Sequence, residues 1–360
     1  MPGGITYGGH IRRKLELDWG LRQQKATPRR MATRPPWWSR VDRTALLSHE
    51  GTLALQGGED VNLTQNGLTS MVTLPGSTGI GRVDLTVADS DALSDFYTSV
   101  VGLQRLEQTG DRVDLGVGSS TLLRLFEDPL SRRRGVSQAG LFHLAIRAPE
   151  RLPLAFAYRR LREAGSLTGA SDHLVSEALY GRDPEENGIE IYRDRSRRRW
   201  ELTDDGGIRI VTWPLDLDDL EAMTKGVSSP HERLPAGTDI GHVHLEVTDL
   251  DRARTFYVDT LGFDIKARYP GALFIAAGDY HHHIGLNVWN ERREPAGERG
   301  LRRFELCIPD RSVIDELADA IESTSLGETD VIDRSNGSVT VHDPDGFELS
   351  LRDPGLSSDE

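Results

Sequence analysis

Ile80-Gly81-Arg82-Val83-Asp84-Leu85 and Ile240-Gly241-His242-Val243-His244-Leu245 are one pattern written twice, 160 positions apart. The offset holds through Phe96-Tyr97 against Phe256-Tyr257 and Gly102 against Gly262. Further out it pairs Gly140-Leu141 with Gly300-Leu301, Pro149 with Pro309, and Asp183-Pro184 with Asp343-Pro344. Self-similarity at a fixed offset marks a chain built by copying one unit. From Ile80 the pattern reads strand (Arg82 to Val87), helix (capped by Ser90 or Asp91, ended by Gly102), then strands over Val113 to Val117 and Thr121 to Phe126. A second such unit opens at Leu141 to Ala148, with a helix near Leu152 to Ala164. The third closes with His283 to Trp289, and the fourth carries a helix around Ser312 to Ser323. Each copy therefore holds two modules, and the chain holds four, in halves spanning 79–194 and 239–353. Residues 195–238 are polar, carry Pro214, Pro230 and Pro235, and read as the linker. Residues 1–75 lack useful periodicity and read as a disordered or mis-assigned N-terminal extension, with Met71 as an alternative start.

Composition narrows the function. Residues 1–70 carry 10 Lys+Arg against 6 Asp+Glu, which leaves 33 against 51 in the rest of the chain. An acidic body is a poor partner for nucleic acid. No run approaches the ~18 apolar residues of a membrane span, and the first residues lack a signal-peptide pattern. Cys307 is alone and cannot form an internal disulfide. A cytoplasmic location is the expectation.

Four βαβββ modules in one chain resemble the vicinal oxygen chelate superfamily, which includes glyoxalase I, extradiol dioxygenases and antibiotic-resistance proteins. The resemblance implies an α+β fold in which four modules form two such domains and paired modules curl their sheets into a cup. Fold alone does not name a reaction.

Alternation assigns side chains to faces. In the third module Val243, Leu245 and Val247 point one way, and His242, His244 and Glu246 point the other. In the second, Leu144 and Ile146 pack, which turns His143 and Ala145 inward. Ile189 and Ile191 pack likewise, leaving Glu190 and Tyr192 inside. The position held by His143 and His242 carries Arg82 and Arg303 in the outer modules, where a permanent cation offers no lone pair. Glu348 aligns with Glu190 but has no histidine beside it. The remaining set is one metal site of His143, Glu190 and His242, which requires the second and third modules to share a cup. Two imidazoles and a carboxylate suit non-haem Fe(II) with open positions, and Mn(II) has overlapping ligand preferences.

The stretch from Asp172-His173 through Tyr180-Gly181-Arg182-Asp183-Pro184 to Asn187-Gly188-Ile189-Glu190 resembles the extradiol ring-cleavage signature. It departs from that signature at Ser171 and Glu186. Gly278-Asp279-Tyr280-His281-His282-His283-Ile284-Gly285-Leu286-Asn287 is similar to the strand that supplies the acid/base histidine in two-domain catechol 2,3-dioxygenases. The resemblance implies that His143, His242 and Glu190 hold the metal, that His282 is the acid/base, and that His173 and Tyr180 contact substrate. Strict alternation puts His282 on the packing side and His283 on the other, so His283 stands as the second candidate unless a bulge intervenes.

The resulting expectation is an enzyme that inserts both atoms of O2 into a catechol, giving a muconic semialdehyde. Its partners are a catechol-type aromatic and O2, with no nucleic acid and no membrane, and a homo-oligomer is admitted. Two alternatives are a glyoxalase-like metal-dependent isomerase or lyase and a non-catalytic small-molecule-binding protein. Arg195 and Arg197-Arg198-Arg199 read as a solvated charge run with an edge-of-site role left open.

Overall fold

The computed structural model describes residues 72–355, apart from 205, 228–232, 324–330 and 336. The expected extension up to Met71, with His10 and His49, lies outside the described residues, as does His231. The first module comprises β1 (Gly79–Val87), α1 (Ser90–Phe96), β2 (Gln104–Thr109), β3 (Arg112–Val117) and β4 (Ser120–Glu127). The second comprises β5 (Gly140–Arg147), α2 (Arg151–Glu163), β6 (Leu167–Asp172), β7 (Ser176–Arg182) and β8 (Gly188–Asp194). A short strand β9 (Trp213–Pro214) and helix α3 (Leu217–Ala222) follow. The third module runs through β10 (Asp239–Glu246), α4 (Leu250–Arg254), β11 (Asp264–Tyr269), β12 (Ala272–Ala276) and β13 (Ile284–Asn287). The fourth runs through β14 (Gly300–Cys307), α5 (Arg311–Ser323), β15 (Val331–Ser335), β16 (Ser338–His342) and β17 (Glu348–Arg352).

Local chemistry explains most boundaries. The cap of α1 is Asp89, whose side chain accepts from the Ala92 N–H, rather than Ser90 or Asp91. Ser90 instead donates its hydroxyl to Glu127. Gly102 ends this helical segment at φ 99°, a left-handed value that glycine adopts without strain. Alternation overlooks β2, β6, β11 and β15; of these β2 and β11 are mostly exposed edges that bury too few side chains to show a period of two.

In every module the last strand lies parallel beside the first: β1 with β4, β5 with β8, β10 with β13, and β14 with β17. First strands then pair antiparallel across modules, β1 with β14 and β5 with β10. The result is an eight-stranded sheet from the outer modules and a nine-stranded sheet from the inner two, with β9 on its edge. The halves 79–194 and 239–353 are contiguous in sequence, yet neither closes a sheet on itself. Pairing β5 with β10 gives the hydrogen-bonding edge of each first strand a partner. The inner modules thereby share one cup, as a single site requires. Register shifts fall at matching places in both central pairs, between Asp84 and Leu85 and between His244 and Leu245. Such bulges redirect side chains near a site.

The connection 195–238 is more than a polar linker. Leu215, Leu220 and Leu234 are buried in it, and β9 pairs with β6. Arg195 is only partly solvated, and it forms ion pairs with Asp172 and Glu177.

The duplication also repeats one buried hydrogen bond. Tyr97 donates to Asp183 at 3.1 Å, and Tyr257 donates to Asp343 at 2.9 Å. Burial pushes the Asp183 carboxyl up to about 6 and that of Asp343 up to about 7. An unfolded Asp titrates near ~3.9, so the folded chain holds extra protons between roughly pH 4 and 7, and this stabilisation is lost as pH rises through that window. Asp343→Asn keeps an acceptor for the Phe347 and Asp345 N–H groups without the titration. Relative to the parent it gains on the order of 2 kcal/mol between pH 5 and pH 8, read from urea unfolding at both pH values.

Candidate metal centre

The register of the inner sheet makes the site. Ala145 on β5 lies beside Glu190 of β8 on one side and His242 of β10 on the other, and His143 lies opposite His244. These pairings bring His143 Nε2 to 3.0 Å and His242 Nε2 to 3.3 Å from the same Glu190 oxygen, Oε2. The two Nε2 atoms are 3.3 Å apart. Among the described residues, this is the group of His, Cys, Asp and Glu side chains close enough to hold a metal ion. All three are buried.

Electrostatics fit a cation at the convergence. Burial lowers His242 to about 4, outweighing the attraction of Glu190, so its imidazole is neutral near pH 7. Burial alone would raise Glu190, but the two imidazoles on its carboxylate reverse this and hold it well below the usual range. Two imidazoles and one carboxylate aimed at one point are a donor set for a divalent first-row metal.

Small residues open the space around them. Ala145, Ala178 and Tyr192 form a cluster apart from the main core, with Tyr180 packed on it, as expected of a cup's inner face. The Tyr192 ring lies 4.9 Å from that of His242. A Cβ on Gly241 would come within 1.7 Å of the Tyr192 hydroxyl. Gly241→Ala therefore drives Tyr192 off His242 and costs roughly 1–3 kcal/mol, measurable as a shift in unfolding midpoint.

The remaining candidates are distributed as follows. His282 packs against His242 with ring centroids 4.1 Å apart and planes tilted by 48°, and it touches Phe274. His283 stacks on Tyr280 at 4.9 Å, and its Nδ1 accepts the Ala277 N–H. Alternation misleads here because residues 281–283 precede β13 and are not in a strand. His173 Nδ1 donates to the Val211 carbonyl, so its Nε2 accepts from the Tyr180 hydroxyl at 2.7 Å. Val211 belongs to the supposed linker. The Tyr180 ring lies 5.7 Å from that of His143, and burial with the nearby Glu190 charge keeps its hydroxyl protonated.

Beyond the triad the cup is aromatic. His244 sits among Phe142, Phe274 and Trp289, with ring centroids 4.9 to 5.6 Å away. Its Nε2 accepts from Asn287 at 3.0 Å. Asp194 also belongs to this interior, and its signal was readable: it follows Glu190 and Tyr192 at a period of two on β8.

The outer sheet offers no comparable donor set among its described residues. Arg82 reaches Asp84 and Glu305, and Arg303 reaches Asp84 at 2.9 Å. Glu348 lies 4.0 Å from His342 at a half-buried position, away from any second candidate ligand.

Known proteins agree with this architecture. The Glyoxalase/Bleomycin resistance protein/Dioxygenase superfamily matches twice, over residues 79–191 and 239–351. A protein of Bacillus subtilis (strain 168) named catechol-2,3-dioxygenase is 38% identical over 284 residues, covering 76% of this chain and 96% of its own length. Among solved structures, a putative dioxygenase from Bacillus subtilis superimposes with a TM-score of 0.54 at 16% identity, covering 81% of this chain and 89% of that one. That likeness speaks for the fold. No helix among the described residues is long and apolar enough to cross a membrane. With the duplicated modules, the inner-sheet triad and a relative similar over most of both chains, this protein belongs to the glyoxalase/bleomycin resistance protein/dioxygenase superfamily, as a catechol dioxygenase-like enzyme.

Proposed function

We propose that the chain is an extradiol dioxygenase that inserts both atoms of O2 into a catechol at a non-haem Fe(II) centre, giving a muconic semialdehyde. The observation that carries this reading is the convergence of His143, Glu190 and His242 on one point inside the shared cup. His143 Nε2, Glu190 Oε2 and His242 Nε2 would hold the ion, and Mn(II) is the other candidate. Bound there, the ion supplies a Lewis-acidic, redox-capable centre that gathers diol and dioxygen and removes much of the entropic cost of their meeting.

The chain's own groups supply the rest. His282 is kept neutral because burial holds it well below its ordinary value, so it is free to take a phenolic proton and later return one. The Tyr180 hydroxyl lies between His173 Nε2 and the Glu190 carboxylate, which places it beside the triad to meet a substrate hydroxyl. Phe142, Phe274 and Trp289 offer faces and edges to an aromatic ring. The buried setting limits water around these groups.

The test is anaerobic reconstitution with Fe(II), followed by catechol and oxygen. A yellow ring-fission product is expected. Full iron loading without that product would overturn the reading, and hemithioacetal isomerisation by the Zn- or Ni-loaded chain would favour the glyoxalase-like alternative.

A further inference from the structure

We infer that Asp194 and His281 are positioning residues that set the tautomer of His282, leaving its Nε2 as the unprotonated nitrogen. This deepens the dioxygenase reading and rests on it for its catalytic consequence. The chain of contacts begins at the end of β8, where Asp194 Oδ1 lies 2.9 Å from His281 Nε2. A carboxylate has no proton to give, so Nε2 of His281 must carry the hydrogen. His281 is taken as the neutral imidazole, so a proton found on both of its nitrogens also overturns the inference, and its other nitrogen bears a lone pair. That atom, His281 Nδ1, lies 2.7 Å from His282 Nδ1. His282 Nδ1 is therefore the donor, and its Nε2 is left bare.

The start of the chain is well anchored. Asp194 Oδ2 accepts from Arg147 at 3.1 Å and from the Tyr280 hydroxyl at 2.9 Å, and Tyr192 lies 2.7 Å from the same hydroxyl. Burial alone would raise the Asp194 carboxyl, but His281, Arg147 and Tyr280 outweigh it and lower it, so it is ionised. His281 is fully buried, with Trp200 packed at 5.3 Å. Water does not compete for either nitrogen there. The last link packs against His242, so the tautomer chosen at Asp194 is delivered beside the triad. Asp194 thus orients a base without touching the reacting atoms, which is how second-layer partners act on histidines elsewhere.

Nitrogen-15 NMR of the full-length chain, labelled at histidine and without added metal, reads the tautomer directly. His282 is identified by the signals lost in His282→Gln. The expected spectrum has the proton on Nδ1 and a bare Nε2, and a proton on Nε2 overturns the inference. Asp194→Asn provides the second arm. Arg147 can only donate, so the amide oxygen stays on its side and the NH2 group turns to His281 Nε2. Both histidines then invert, and His282 carries its proton on Nε2. A tautomer unchanged in that variant refutes the chain. In the Fe(II)-loaded enzyme, Asp194→Asn lowers kcat on the order of 10²-fold with KM nearly constant. An inverted tautomer with parental kcat refutes the catalytic consequence. The expected tautomer in a parent that does not cleave catechol leaves the chain standing and sinks the dioxygenase reading instead.

Discussion

Glu190→Ala loses the bound metal and at least about 10³-fold in turnover while the fold stays intact. Changes behind a ligand already cost roughly 10- to 100-fold in affinity or activity, and removing the ligand itself exceeds that. Both imidazoles approach the one oxygen this variant deletes, at 3.0 and 3.3 Å, so neither retains a partner for a shared cation. Stability changes little for a specific reason. His242 is neutral at pH 7, because burial holds it at about 4, and deleting its acidic neighbour strands no charge on it. What is lost is a few methylene and carboxyl contacts beside Ala145, worth about 1–2 kcal/mol. Metal content after dialysis, ring-fission rate and denaturant midpoint separate these effects. Full turnover in the variant would remove Glu190 from the ligand set.

Arg82→Ala has the opposite profile: a large loss of stability with the metal centre retained. Arg82 occupies in the outer sheet the repeat position that His242 holds in the inner one. Its guanidinium lies 2.6 Å from Asp84 and 3.0 Å from Glu305, and its own backbone N–H donates to Glu305. Asp84 is 1% exposed and Glu305 6%. Breaking a buried pair by removing one member leaves an uncompensated charge, and the cost is about 3–5 kcal/mol. The lower end applies here, because Arg303 still reaches Asp84 and Arg352 still reaches Glu305. Urea unfolding of the two variants side by side makes the comparison. A midpoint for Arg82→Ala equal to that of the parent would show the network to be dispensable.

The two profiles express one evolutionary choice in a duplicated scaffold. The same position was filled in two ways: by imidazoles with a carboxylate, which could hold a cation, and by arginines that carry their own charge. Sequence comparison alone separates these outcomes, because a guanidinium cannot ligate whatever surrounds it. The inner sheet's faces were equally legible. Val243 and Leu245 are fully buried in the main core, and Ala145 and Tyr192 fall in the cluster inside the cup. Strict alternation on β5, β8 and β10 was enough to turn His143, Glu190 and His242 the same way.

Other features resisted reading because no local rule governs them. His281 to His283 lie in a segment without regular backbone, where a period of two has no meaning, and His282 meets the site through a ring from another strand. The 195–238 connection looked inert because its polar residues conceal one contact that matters, the Val211 carbonyl that orients His173. Asp194 lay on the right face of β8, but its role depends on a histidine 87 positions away.

Duplication, alternation and residue chemistry were sufficient to read four modules and their inward faces, and to single out the three side chains that the fold brings close enough to hold a metal ion. Elimination among the repeats asked the second and third modules to share a cup, but the β5–β10 pairing that joins them, the place of His282 beside the triad and the acid behind it depend on contacts between segments remote in sequence. His143 and His242 are 99 residues apart. Periodicity reports the direction in which a side chain leaves its own strand, whereas coordination depends on the distance to another strand, and only the folded sheet sets that distance.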